Sequence, residues 1–416
     1  MTENLQEKVV LTGLTENLQE LKELALTANC KVCGSLYQNR DKPHPKTYIG
    51  KGKLEELKSL IQNSPEEITG IICDDELSGI QLKNLSTELE IKVMDRTMVI
   101  LDIFASNAKS AEGIAQVEIA QQRYNLTRLI GLGTSLSRLG GGIGTRGPGE
   151  KKLEMDRRVI RNRIADLEKE LKAIKTHRDT LRKARLKNNS LTISLVGYTN
   201  AGKSTLMNAF TKAGILSENK LFSTLDTTTR KFNTGGIEVL LTDTVGFIEK
   251  LPHSIISAFR STLEELKYAH ILLHVVDCSN PCYENQMKVV YETLKELECS
   301  RLPVITVFNK IDKTEEMCLA DPEALHTIGV SAKTGQNLTE LSEIMEKTIS
   351  SLKKQIALLV PYHRGDILNM LHNQLIIKKE YEETGVYLEI YADDKIFNFV
   401  EKFLCYTNEN EECSLG

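Results

Sequence analysis

Short apolar runs alternate with helical spacings along the N-terminal part of the chain. Lys31–Tyr37, Ile68–Cys73 and Ile91–Met94 read as strands, and Leu54–Ile61, Ser78–Leu89 and Met98–Ala105 as helices. This alternation predicts a small α/β domain with a parallel sheet over residues 1–111. The pattern then changes. Ile114, Val117, Gln121, Tyr124 and Arg128 recur at helical spacing, and Leu153, Ile160, Leu167, Leu171, Ile174 and Leu181 fit an approximate heptad. Two long antiparallel helices are therefore expected over 112–189, joined by a glycine-rich tip between Gly131 and Lys152. Buried strand-like runs return in 190–352, among them Leu191–Val196, the run from Val239 and the run from Val304. The last unit, 353–416, has strand-like Ile356–Val360 and Val386–Tyr391 and helix-like His363–Leu375 and Asp394–Leu404. It reads as a small α+β domain.

The strands of the third unit end on polar clusters with defined spacing. Leu191–Val196 runs into Gly197, Tyr198, Thr199, Asn200, Ala201, Gly202, Lys203 and Ser204, followed by a helix opening at Thr205. Gly-x4-Gly-Lys-Ser between a strand and a helix is a phosphate-binding loop. Its N–H groups turn inward at a helix N-terminus that favours anions. Lys203 is expected on the β- and γ-phosphates and Ser204 on Mg²⁺, which takes a hard oxygen shell. The run from Val239 ends in Asp243, Thr244, Val245 and Gly246. Asp243 is expected to reach Mg²⁺ through water and the Gly246 N–H to meet the γ-phosphate, so Lys203 and Gly246 are the catalytic candidates. The run from Val304 ends in Asn309, Lys310, Ile311 and Asp312. A carboxylate there accepts from guanine N1–H and N2–H₂, two donors that adenine cannot both supply. Ser331, Ala332 and Lys333 fit a further base-contacting loop. Together they predict a GTP/GDP site.

Charge and composition add a partner. The chain of 416 residues carries a net −4, yet residues 123–187 hold 18 Lys and Arg against 7 Asp and Glu, a net of +11 that leaves −15 elsewhere. Such segregation points to a polyanion at one segment. Arg138, Arg146, Lys151 and Lys152 lie in the glycine-rich tip, where close backbone approach and guanidinium forks suit RNA. No apolar run reaches membrane-spanning length, and no basic-then-apolar leader opens the chain, so a cytoplasmic protein is expected. A monomer is expected too. Cys30 and Cys33 lack the further ligands that zinc needs. The Tyr48–Lys53 loop opens a helix and reads either as a structural or RNA-facing turn or as a second nucleotide site.

With these motifs, the chain resembles the HflX family of ribosome-associated GTPases. The likeness extends to Tyr48–Lys53, Asp95–Thr97, Ile100–Phe104, Leu136–Glu150, Asp243–Ile248 and Ala258–Glu265. It implies a P-loop GTPase domain with an N-terminal α/β domain, a projecting helical hairpin arm and a small α+β C-terminal domain. It also implies binding to the large ribosomal subunit and its rRNA, and splitting of stalled ribosomes. Switch I is carried onto Phe222, Ser223, Thr224, Leu225 and Asp226, with Thr224 as a metal ligand; Thr228 and Thr229 remain alternatives. Lys151 stands where the family usually has threonine, and Thr227 where it often has proline. Phe247 follows Gly246 where many GTPases place a water-orienting glutamine, so slow intrinsic hydrolysis is expected. Asn200 stands where related GTPases help hold K⁺, or serves as a turn residue.

Overall fold

The computed structural model describes residues 6–136, 148–187, 191–211, 221–222, 227–234, 237–250, 255, 263–314, 320–351, 354–371, 375–392, 397 and 399–404. The N-terminal unit is a parallel sheet of β1 (Lys8–Gly13), β2 (Lys31–Tyr37), β3 (Gly70–Cys73) and β4 (Lys92–Asp95), in the order β2-β1-β3-β4. Helices α1 (Gln19–Thr27), α2 (Lys51–Gln62), α3 (Gly79–Leu89) and α4 (Arg96–Asn107) cover it. The two-residue period of the strands sends Val9, Leu11 and Ile72 to one face with α1 and α4, and Val10 and Ile71 to the other with α2 and α3. The central strand β1 and helix α1 extend the expected element list. Ser78 caps α3 in a reciprocal capping box with Gln81.

The arm consists of α5 (Ala111–Leu136) and α6 (Pro148–Lys187). Both helices run further toward the tip than the sequence pattern indicated. Gly131 and Gly133 lie within α5, while Lys151 and Lys152 lie on α6. Isolated helix glycines cost about 1 kcal/mol each and are tolerated among helix formers, and Pro148 suits a first helical position. Ala115 and Ile119 of α5 pack on Leu167 and Leu171 of α6, and a bidentate Arg163–Glu118 pair at 2.6 and 2.8 Å spans the helices. Leu167 is buried, whereas Ile160 and Ile174 are half-buried, so the heptad makes a thin seam.

Asp95 joins the arm to the sheet. Its fully buried carboxylate accepts from Leu77 N–H and Met98 N–H at 2.9 Å and from the Tyr124 hydroxyl at 2.7 Å, and it pairs with Arg128. The Arg128 guanidinium lies 3.8 Å from the Tyr124 ring centroid. Removing this carboxylate strands a buried cation and uncaps α4. Asp95→Ala is therefore expected to destabilise the protein by about 3–5 kcal/mol, read as a lowered denaturant midpoint.

The third unit is a six-stranded sheet, order β10-β9-β8-β5-β7-β6, built from β5 (Leu191–Gly197), β6 (Thr228–Thr234), β7 (Ile237–Asp243), β8 (Ile271–Asp277), β9 (Val304–Asn309) and β10 (His326–Val330). Neighbouring strands are parallel except β6, which is antiparallel to β7. Its helices include α7 (Lys203–Thr211), α8 (Tyr283–Glu296) and α9 (Leu338–Ser351). The chain leaves β5 toward β7 on one side and returns to β8 on the other, which opens a crevice at the carboxyl end of β5.

The C-terminal unit is antiparallel, order β11-β13-β12, from β11 (Lys354–Pro361), β12 (Leu375–Tyr381) and β13 (Gly385–Ala392), with α10 (Gly365–Leu371). Of the helix expected over His363–Leu375, the described residues hold Gly365–Leu371, and Leu375 opens a strand. Leu375-Ile376-Ile377 begins a run that suits a pleated edge beside β13, which only the tertiary pairing rewards. Of the helix expected over Asp394–Leu404, the described residues are helical at 397, 399 and 400 and run into a 3₁₀ turn at Glu401–Phe403. Among the described residues, no helix is long and apolar enough to cross a membrane.

Candidate active site

The carboxyl ends of β5, β7, β9 and β10 bring four of the sequence-defined segments together. The loop 197–204 requires glycine at its corners: Gly197 and Gly202 hold φ of 149° and 97°. A Cβ at Gly197 would overlap the Val275 carbonyl, and one at Gly202 would overlap the Asn309 amide. Lys203 is buried, and its ammonium donates to the carbonyls of Tyr198 at 2.8 Å and Gly197 at 3.1 Å. Burial pushes Lys203 down to about 8, opposed by the nearby Asp243 carboxylate. The Ser204 hydroxyl donates to Asp243 Oδ2 at 2.7 Å. This juxtaposition of a hydroxyl and a fully buried carboxylate fits a hard divalent cation.

Gly246 closes against the loop. A Cβ there would come within 2.9 Å of Lys203 Nζ and of Thr199 Cα. Phe247 donates its N–H to the Gly197 carbonyl at 3.1 Å and accepts the Thr199 N–H at 2.8 Å. Its ring is buried with Val196, Leu263, Leu266 and Leu272. The position after Gly246 thus offers a reacting water no polar group. Thr244 donates to the Leu195 carbonyl at 2.7 Å, and Val245 is buried.

At the base side, Asn309 donates to the Ala201 carbonyl at 2.9 Å and accepts the Ala332 N–H at 3.0 Å. Ser331 donates to Asp312 Oδ1 at 2.6 Å, and that bond holds the Asp312 carboxyl below its usual range. Asp312 and Lys333 are exposed, while Ile311 is half-buried. Asn200 adopts φ 61°, a left-handed turn conformation that asparagine tolerates. Of the switch I candidates, Phe222 is buried, Thr228 and Thr229 open β6, and Ser223, Thr224, Leu225 and Asp226 lie outside the described residues. Arg138 and Arg146 lie outside them too, as do the side chains of Lys151 and Lys152.

Three family models match in succession: GTP-binding GTPase N-terminal over residues 15–105, GTP-binding GTPase Middle Region over 107–185, and 50S ribosome-binding GTPase over 192–310. Over 404 residues the chain is 51% identical to the GTPase HflX of Lacrimispora saccharolytica, with 94% of this chain and 95% of that protein covered. The chain belongs to the HflX family of GTPases. It is also 38% identical over 376 residues to the HflX of Escherichia coli, covering 89% of this chain and 88% of that one. Among solved structures, the SsGBP and GDP complex matches with TM-score 0.50 and 27% identity, covering 83% of this chain and 99% of that one. HflX family membership makes the chain an enzyme that hydrolyses GTP.

In this HflX-family chain the N-terminal unit docks directly on the nucleotide motifs, a relation the sequence motifs did not reveal. The Tyr198 hydroxyl donates to Glu20 Oε1 at 2.7 Å and accepts the Glu249 N–H at 2.7 Å. Burial raises Glu20, and Arg96 offsets part of that with an ion pair at 2.9 Å. Arg96 also meets Asp74 at 2.9 Å and the Glu249 carbonyl at 3.0 Å. Lys250, at φ 53°, reaches Asp74 at 2.7 Å and Asp75 at 3.0 Å. Asn107 donates to the Phe222 carbonyl at 2.8 Å, and Phe104 meets the Phe222 ring edge-on at 4.6 Å. The sequence marks these contacts with nothing beyond charges of the kind that surface residues share. Tyr48, by contrast, is buried with its hydroxyl on Asp75 at 2.6 Å, and the Gly50 N–H is held by Gln38 at 2.7 Å. Tyr48 and Gly50 are thus held by packing and hydrogen bonds, and Lys51–Lys53 form the first turn of α2.

Proposed function

We propose that this GTPase binds the large ribosomal subunit in its GTP state and splits stalled ribosomes. Lys203 and the loop N–H groups would hold the phosphates, and Asp312, with Asn309, Ser331, Ala332 and Lys333 around it, would read guanine. Ser204 and Asp243, with Thr224 from switch I, would hold Mg²⁺, whose charge neutralises the phosphate oxygens. The arm would present Arg138, Arg146, Lys151 and Lys152 to rRNA.

The observation that carries this reading is the docking of the N-terminal unit on Tyr198, Phe222, Glu249 and Lys250. A γ-phosphate that reorders the segments at Phe222 and Gly246 must rearrange these contacts, so nucleotide state biases the placement of the sheet and the arm anchored to it through Asp95.

Sedimentation of ribosomes with GTP, GDP and a non-hydrolysable analogue tests the proposal. The expected result is a lower 70S fraction with GTP or the analogue and no change with GDP. Stable 70S particles in all three states would favour an assembly factor whose GTPase times release. Arg138→Ala with Arg146→Ala is expected to weaken pelleting with large subunits while leaving GTP affinity unchanged. That deficit should shrink as salt rises if the contacts are to phosphate.

A further inference from the structure

Strand β8 ends on Asp277 at the rim of the nucleotide crevice, and none of the motifs includes this residue. Its Oδ2 lies 2.6 Å from the Lys310 ammonium, with the two side chains only 15% and 18% exposed. Its Oδ1 accepts the Ser279 N–H at 3.0 Å and the Ser279 hydroxyl at 2.5 Å. Lys310 crosses the phosphate loop and also donates to the Asn200 carbonyl at 2.8 Å. Consecutive loop carbonyls, Asn200 and Ala201, are thus held by consecutive side chains, Lys310 and Asn309. Asn309 is itself fixed by the Ala332 N–H. Lys310 has four side-chain torsions and takes its direction from Asp277. Both Lys310 and Asn200 hold left-handed backbone, at φ 70° and 61°, so this corner depends on surrounding contacts to stay in place.

The planar trans peptide sets a carbonyl and the next N–H on opposite sides. With the Asn200 carbonyl drawn toward Lys310, the Ala201 N–H turns inward to the Tyr198 carbonyl at 3.3 Å, the carbonyl that Lys203 also meets. We propose that Asp277 is a positioning residue for guanine-nucleotide binding, acting through Lys310 to keep the phosphate loop turned for its ligand. This inference rests on the nucleotide reading of the site.

Release of a fluorescent GDP analogue tests it in the full chain carrying Asp277→Asn, Lys310→Met or both. Loss of a charge-assisted contact is expected to speed release about tenfold in Asp277→Asn. The double variant should release no faster than Lys310→Met. Wild-type release in Asp277→Asn, or losses that multiply in the double variant, would overturn the proposal, because a merely structural residue would act independently of Lys310. Should Asp277→Asn fail to fold, Ser279→Ala carries the test. Faster release that vanishes in the Lys310→Met background supports the proposal, and unchanged release overturns it. A wild-type chain that binds no guanine nucleotide would bring down the site reading first, and the proposal with it.

Discussion

Replacing Lys203 with alanine is expected to abolish tight GTP binding. The ammonium is buried against the loop, 2.8 Å from the Tyr198 carbonyl and 3.1 Å from the Gly197 carbonyl. Truncating one member of a buried charge pair costs about 3–5 kcal/mol, more than two orders of magnitude in Kd. Nucleotide titration is the check, and wild-type affinity in the variant would remove the phosphate-loop assignment. A protonation signature accompanies binding. Burial holds the free protein's Lys203 at about 8 rather than 10.5, and polyphosphate would raise it again. Binding therefore takes up a proton in the window above about pH 8, so affinity falls as pH rises through that window. Titration calorimetry at about pH 9, in buffers of different ionisation enthalpy, should detect uptake that is absent near pH 7.

Asp312→Asn is expected to exchange guanine for xanthine preference. The carboxylate accepts two donors on guanine, and the amide would present a donor in place of an acceptor. Hydrogen bonds to charged groups contribute about 1.5–3 kcal/mol each, so GTP affinity should fall by roughly a hundredfold or more while XTP affinity rises. The Ser331 hydroxyl, 2.6 Å away, keeps the carboxyl ionised below its ordinary range. Guanine recognition in the wild type should therefore persist at mildly acidic pH. Competition of XTP against GTP decides the matter: a variant that still prefers GTP shows that Asp312 does not read the base.

The local sequence determined the phosphate loop, the strand-end motifs and the helical arm, because each is written in short-range chemistry. Glycine at positions 197 and 202 follows from backbone angles that a side chain would block, and Lys203 and Ser204 follow from the ligand such a loop takes. The apolar runs into Asp243 and Asn309 marked buried parallel strands, whose ends converge on one crevice. The arm was legible from its periodicity, but its helix ends were not. Glycine signals a break, whereas Gly131 and Gly133 stay helical because their helical neighbours outweigh a small propensity penalty. Strand β12 was hidden because its pairing with β13 depends on a neighbour already in place.

Tertiary structure alone decided which charges matter. Glu20, Arg96, Asp74 and Lys250 are separated by up to 230 positions, and in sequence they look like ordinary surface residues. Folding sets the carboxyl end of the N-terminal sheet on the loop after Gly246, where Arg96 is buried between Glu20 and Asp74 and Lys250 pairs with Asp74 across the two units. Asp277 is the same kind of case: a strand-end aspartate acquires a role because Lys310, 33 residues later, folds back across the phosphate loop to meet it. Backbone geometry can be read from neighbouring residues, but the partner of a charge is fixed only when distant segments are brought within bonding distance and shielded from water.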